Sequence, residues 1–275
     1  MSNLYKYDAL IFGKYYILWE KLGFAERVQQ SVLLFRDRVP HGPVLVVGNL
    51  DTDGITATSI LLHALAREGI TFASMIIKQI SESFLDEIKG TGYHTVIFTD
   101  LGSGSITLIE EKLQGKNVFI FDHHYPEKRE TPEWIVQLNP HLDGIDGTKD
   151  VSAAGVSYFF AHELNKENID VAHLALIGAV GDVQEHMGFH GLNRDILRDA
   201  LDAGTIEGKE GLRLFGLYTK PLCKVLEYST HPYIPGVTGH ADGAITFLEQ
   251  NGIASRGKGR SVKLTDLDET SFGRL

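Results

Sequence analysis

Two stretches, Thr95-Val-Ile-Phe-Thr-Asp100 and Val118-Phe-Ile-Phe-Asp-His-His124, are built alike: a short apolar run that stops on an acid. Neither run alternates polar with apolar residues, so neither predicts a strand with one wet face. Both suit strands of a parallel sheet covered by helices. Val44-Leu-Val-Val-Gly48, followed by Asn49-Leu-Asp-Thr-Asp-Gly54, repeats the pattern. Outward from these, Ile55 to Glu68 carries apolar residues at helical spacing (Ile60, Leu61, Ala64, Leu65) and closes on Gly69. Phe72–Ile77 predicts another strand, and Ser81–Ile88 and Ile106–Leu113 predict helices. This alternation predicts an α/β fold, a parallel β-sheet flanked by helices.

After Pro140 the pattern changes. Ala153–Asn165, Val171–Val180 and Asn193–Ala203 predict a mostly helical segment, with a glycine-rich connection at Gly188–Gly191. Four parts are expected: a helical lead-in over 1–41, an α/β core over 42–140, a helical part over 141–227, and a linker or the start of a further domain over 228–275. The last stretch is rich in Pro, Gly, His and Thr, and ends on the basic run Ser255-Arg-Gly-Lys-Gly-Arg260, for which a solvated tail is the favoured reading.

The chain has 275 residues, 43% hydrophobic and 23% charged, which is ordinary globular usage and excludes fibrous and disordered classes. No apolar run approaches the roughly 18 residues that span a bilayer, and no signal-peptide pattern opens the chain, so a cytoplasmic protein without a membrane partner is expected. The lone Cys223 excludes a disulfide framework and a thiolate zinc site. Lys and Arg total 26 against 36 Asp and Glu, which argues against a module that binds DNA by neutralising phosphates. It is compatible with acids that hold divalent cations, because each ion returns two positive charges.

Asp51, Asp53, Asp100, Asp122, His123, His124 and Asp182 stand at strand ends or helix turns. In an open parallel sheet the ligand crevice lies beyond the carboxyl ends of the strands, so these groups converge there. Crowded carboxylates repel unless a cation sits among them, and Asp with His suits Mn²⁺ or Mg²⁺. Two ions about 3.5–4 Å apart are the usual apparatus for phosphoester hydrolysis. Each position also has a structural reading. Asp51 and Asp53 suit a turn and N-cap, Asp100 a turn acid, and His186 a surface loop. Asp182, within an apolar helical run, needs a partner or a cation if buried.

Asp-x-Asp-Gly at 51–54, Thr99-Asp-Leu-Gly-Ser-Gly104, Phe121-Asp-His-His124, Ser152-Ala-Ala-Gly155 and Gly178-Ala-Val-Gly-Asp182 resemble, in order, the motifs of the DHH phosphoesterase superfamily. Within it, the sequence is most similar to archaeal RecJ-like exonucleases that associate with the GINS replication complex. The resemblance implies two metal ions: Asp51 on one, Asp53 on the other, Asp100 bridging the two, and His123 and Asp182 completing the ligand set of the second ion. It places His124 beside the scissile phosphate and has Asp122 orient His123.

Ser103, Gly104, Ser152 and Gly155 are candidates for substrate contact at a backbone nest and a helix N-terminus; a flexible turn and close helix packing are the alternatives. Two departures stand out. Asn49 occupies a position where relatives commonly carry His or Asp, and the glycine-rich signature of the C-terminal DHH-associated domain is absent. Besides a single-strand exonuclease, a phosphodiesterase of short oligoribonucleotides or cyclic dinucleotides and a non-catalytic replisome subunit remain open.

Overall fold

The computed structural model describes residues 23–39, 42–186, 188–208, 214–257 and 259–274. The chain divides into two compact units, Met1–Glu207 and Gly208–Leu275.

In the first unit, helix α1 (Phe24–Arg38) leads into β1 (Val44–Asn49), α2 (Thr52–Arg67), β2 (Phe72–Ile77), α3 (Glu82–Lys89), β3 (Thr95–Thr99), α4 (Ile106–Lys112), β4 (Asn117–Phe121) and β5 (Ile135–Leu138). Three helices follow: α5 (Ala153–Leu164), α6 (Ala172–Gly181) and α7 (Gly191–Asp202). The strands form one sheet in the order β2-β1-β3-β4-β5, every pair parallel. The helical lead-in expected over 1–41 is seen as α1; residues 1–22 and 40–41 lie outside the described residues. Strand β5 escaped the sequence, because Ile135-Val-Gln-Leu138 is short and follows a polar loop.

Side-chain alternation along the buried strands splits the core into two layers. Val44, Val46, Ile97, Phe119 and Phe121 pack on one face with α1, α2, α5, α6 and α7. Leu45, Val47, Val96, Phe98, Val118 and Ile120 pack on the other with α3 and α4. A sheet apolar on both faces has no wet side, which is why these strands lack polar alternation. Gly48 lets α2 sit close on β1, since a Cβ there would fall 1.9 Å from the Thr58 hydroxyl. The strand order reverses between β1 and β3, so the crevice opens where Asp51, Asp53 and Asp100 stand.

The second unit holds helices α8 (Leu222–Glu227) and α9 (Ala241–Gln250) and a two-stranded hairpin, β6 (Arg256–Gly257) with β7 (Arg260–Ser261). Leu214, Leu222, Leu226, Val237, Ala244, Leu248 and Leu264 form its own core. Here the structure differs from the sequence expectation. The described part of 228–275, expected as a linker or the start of a further domain, lies within the compact unit Gly208–Leu275, so the expected boundary after residue 227 falls inside that unit. Arg260 pairs with Asp266 at 2.6 Å; Lys258 lies outside the described residues. The apolar residues of this unit are spread thinly between glycines and prolines, so no helical or strand period announces them.

Candidate metal centre

Each strand end delivers its side chains through a different turn. After β1, Asp51 caps α2, its carboxylate accepting the Gly54 N–H at 2.9 Å. The Asn49 amide touches the other Asp51 oxygen at 3.4 Å. Asp53 is fully buried and points at the start of α5, where its two oxygens accept the N–H groups of Ala153 and Ala154 at 2.7 and 2.9 Å. A carboxylate suits the positive end of that helix. Burial nevertheless raises the Asp53 pKa, with His123 and these hydrogen bonds opposing. Gly178 makes room for it, since a Cβ there would lie 2.4 Å from Asp53 Oδ1.

After β3, Asp100 adopts a left-handed backbone (φ 58°), sparsely populated for a residue with a Cβ, while its N–H holds the Phe121 carbonyl. It is 1% exposed, and neither carboxylate oxygen meets a hydrogen-bond donor. His123 Nε2 stands 3.4 Å from Asp100 Oδ1. Burial, with the charges of Asp53 and Asp122 outweighed in part by His123, pushes Asp100 up to about 7.

After β4, Asp122 is equally buried but fully partnered. Its Oδ2 accepts the Ser103 N–H, and its Oδ1 accepts the N–H groups of His123 and His124 and the His124 Nδ1 proton. Burial works to raise its pKa, yet His124 and these donors hold it below the usual carboxylate range. Asp122 therefore holds the His124 ring, not the ring of His123 as expected. His123 Nδ1 lies 2.6 Å from the Gly147 carbonyl. A carbonyl only accepts, so Nδ1 carries the proton and Nε2 is left as a donor atom for a cation.

His123 Nε2 lies 3.1 Å from Asp182 and 3.8 Å from Asp53. Burial disfavours the imidazolium, but Asp100, Asp53, the Gly147 carbonyl and Asp182 push His123 up to about 10. Asp182 sits at the C-cap of α6 rather than inside a helical run, and burial with the Asp53 charge raises it to about 6. A carboxylate at a helix C-terminus faces the negative end of the dipole, so a nearby cation is doubly favourable. His124 is raised by its bond to Asp122.

Two groups result, each with ligand atoms within 4.8 Å of one another: Asp53, His123 and Asp182, and Asp100, His123 and His124. The donors are carboxylate oxygens and imidazole nitrogens, the set that suits Mn²⁺ or Mg²⁺. Together with the two orphaned oxygens of Asp100, they fit divalent cations. Asp51 belongs to neither group.

The expected substrate contacts fare differently. Ser103 is fully buried, its hydroxyl accepting from Gln137 and Asn139 at 2.8 Å and its N–H spent on Asp122. Ser152 is buried as the N-cap of α5 and accepts the Gly155 N–H at 3.4 Å. A Cβ at Gly155 would meet Val151 at 2.6 Å, so this glycine serves helix packing. With Asp53 and Ser152 occupying its first N–H groups, the start of α5 is not open to a phosphate. Gly104 and His186 are exposed, and neither joins a ligand group. Asn139 and Gly147 were missed by the sequence reading, because their roles run through a side-chain amide and a backbone carbonyl from distant loops.

Two family models match, the DHH family N-terminal domain over residues 43–179 and the DHH-CID domain over 214–271. An uncharacterised protein of Methanocaldococcus jannaschii is 30% identical over 266 residues, covering 94% of this chain and 57% of that protein. The single-stranded-DNA-specific exonuclease RecJ of Bacillus subtilis is 26% identical over 197 residues, covering 69% of this chain and 24% of that protein. The chain thus spans little more than half of the one relative and about a quarter of the other. Among solved structures, exonuclease RecJ bound to manganese superposes with a TM-score of 0.54 at 21% identity, covering 79% of this chain and 54% of that one. CDC45 from Entamoeba histolytica gives 0.63 at 17% identity, covering 91% and 55%; at these identities both likenesses speak to the fold. With two family models matched in order and the DHH triplet on its strand end, the chain belongs to the DHH phosphoesterase superfamily and is a RecJ-like member of it.

Proposed function

We propose that this chain is a phosphodiesterase that holds two Mn²⁺ or Mg²⁺ ions and hydrolyses single-stranded DNA or RNA from an end. The observation that carries this reading is Asp100: a buried carboxylate at a strained turn, with both oxygens unpartnered, facing the Nε2 of His123. Such a group is costly unless a cation completes it. Asp53, His123 and Asp182 would hold one ion, and Asp100 would share itself with the second, for which Asp51 and Asn49 stand on the β1 side.

Bound divalent ions supply Lewis acidity and lower the pKa of water at neutral pH. The residues do the rest. Gly147 fixes the His123 tautomer, and Asp122 accepts Nδ1–H of the half-exposed His124 and favours its imidazolium, whose Nε2–H would donate to a phosphoryl oxygen. Single-stranded nucleic acid follows from the relationship to RecJ, and GINS as a partner and a cytoplasmic place follow from the family resemblance. Among the described residues no helix is long and apolar enough to cross a membrane.

The test is an end-labelled single-stranded oligonucleotide with Mn²⁺, Mg²⁺ or EDTA, run beside Asp100→Ala. Nucleotide release that needs both metal and Asp100 is expected. Release in EDTA, or from the variant at the wild-type rate, overturns the reading. No release from a folded protein in either metal would favour a second one, a non-catalytic replisome subunit. The favouring observation there is Asn49, a neutral amide tied to Asp51 where relatives commonly carry His or Asp.

A further inference from the structure

The residue after the triplet, Tyr125, is 75% exposed, although a large aromatic side chain gains nothing from water. Its ring lies on His141 with centroids 4.2 Å apart and planes 17° from parallel. One face is thus backed by the imidazole and the other is open. The pair is held in place from beneath by Asn139, which is fully buried. The Asn139 Nδ2 donates to the His124 carbonyl at 2.8 Å, and its Oδ1 accepts the His141 N–H at 3.0 Å. One amide therefore sets the backbone of both ring-bearing segments.

His141 also stands against the segment that orients the site. A Cβ at Gly147 would fall 2.9 Å from His141 Nε2 and 2.2 Å from the His123 carbonyl oxygen. Any displacement of this segment would disturb the bond between Gly147 and His123.

We infer that the Tyr125 ring, backed by His141, is a stacking platform for a nucleobase of the substrate. This rests on the hydrolase reading above and deepens it. A flat, sequence-tolerant aromatic surface one residue beyond His124 selects substrates that carry bases and offers nothing to a bare polyphosphate. It also suits a single strand, whose bases are free to leave the stack.

Binding and turnover test it separately. The ligand is a fluorescently labelled phosphorothioate oligothymidylate of about ten nucleotides, within the site sizes of single-strand binders, and binding is read by anisotropy in Mn²⁺. Tyr125→Ala is expected to weaken binding about tenfold, the effect of losing one base–aromatic stack, and Tyr125→Phe to stay within about twofold. Removing the terminal base at the bound end, with abasic residues placed at the 5′ or the 3′ end in turn, weakens the wild type by a similar factor. On that ligand Tyr125→Ala costs nothing more. Equal affinity of Tyr125→Ala and wild type, or an equal loss on both abasic ligands, overturns the platform.

Turnover is measured on the phosphodiester oligonucleotide. Binding with this signature but no hydrolysis keeps the platform and discards the hydrolase. Hydrolysis without dependence on the Tyr125 ring does the reverse, and a wild type that neither binds nor hydrolyses overturns both.

Discussion

The ends of β3 and β4 carry one aspartate each, Asp100 and Asp122, both 1% exposed, and the two titrate in opposite directions. Burial acts on both alike. The difference is the donor count: four hydrogen bonds converge on Asp122, and none reaches Asp100. Asp122 is thereby a fastening, tying the Ser103 turn to the histidine pair. Asp100 has only His123 Nε2, 3.4 Å from its Oδ1, set against the cost of burying its carboxylate, a cost that a divalent cation would relieve further. Adjacent strands of one sheet thus present one carboxylate closed by hydrogen bonds and one left without them, and burial alone does not tell them apart.

The largest effect that can break this comparison is on activity. Asp100→Ala should lower metal-dependent nucleotide release to background while leaving the melting temperature of the metal-free protein unchanged or higher, because an unpaired buried carboxylate has gone. A clear fall in melting temperature would mean that Asp100 is also a fastening. Asp122→Ala should do the opposite to the scaffold. Stranding the donors of Ser103, His123 and His124 costs on the order of 3 kcal/mol, read from the shift in a urea midpoint. A cost near zero would show that water replaces Asp122.

A pH series sharpens the same point. In metal-free protein Asp100 holds its proton more tightly than the unfolded chain does, whose carboxyl titrates at about 3.9. Its contribution to stability is full below that value and is lost as pH rises through about 7. The melting temperature of the EDTA-treated protein should fall across this window more steeply than that of Asp100→Asn. Saturating Mn²⁺ should restore it near pH 8. Parallel slopes in wild type and variant would remove Asp100 from the account.

Gly178→Ala probes Asp53 in the same spirit. The added methyl reaches the Asp53 carboxylate, so Mn²⁺ affinity, read by titration calorimetry, should weaken roughly tenfold or more, within the range seen when groups supporting metal ligands are altered. Unaltered affinity would mean that the α6 backbone yields. The smallest effect is expected for Asn49→Asp, where a second carboxylate beside Asp51 should tighten binding only a few-fold, since the position is half exposed and screened. No change would show that the β1 side takes no part in holding an ion.

Much of this was legible in the chain itself. Apolar runs that stop on Asp, separated by helical periods, announce parallel strands with acids at their carboxyl ends, because a buried strand tolerates no charge until it leaves the sheet. Six of the seven Asp and His positions follow from that; Asp182, at the C-cap of α6, does not. What stayed hidden is how each is held. Asp53 is caught by Ala153 and Ala154, His123 by Gly147 rather than by the Asp122 expected for it, and His124 by Asp122. Ser103, Ser152 and Gly155 looked like phosphate contacts and are instead buried supports, since a hydroxyl or glycine beside a motif reads the same in either role.

The segment after Gly208 shows the same limit at larger scale. Its core draws on Leu214, Leu222, Val237, Leu248 and Leu264, residues too dispersed to mark a period, and only their convergence in space makes it a unit. Strand and helix periods act over neighbouring residues, so the order of residues alone says which side chains arrive at the crevice. Which carboxylate is satisfied depends on turns brought together in space: Ser103, 19 residues away, donates to Asp122, and Ala154, 101 residues away, donates to Asp53, while no hydrogen bond closes on Asp100.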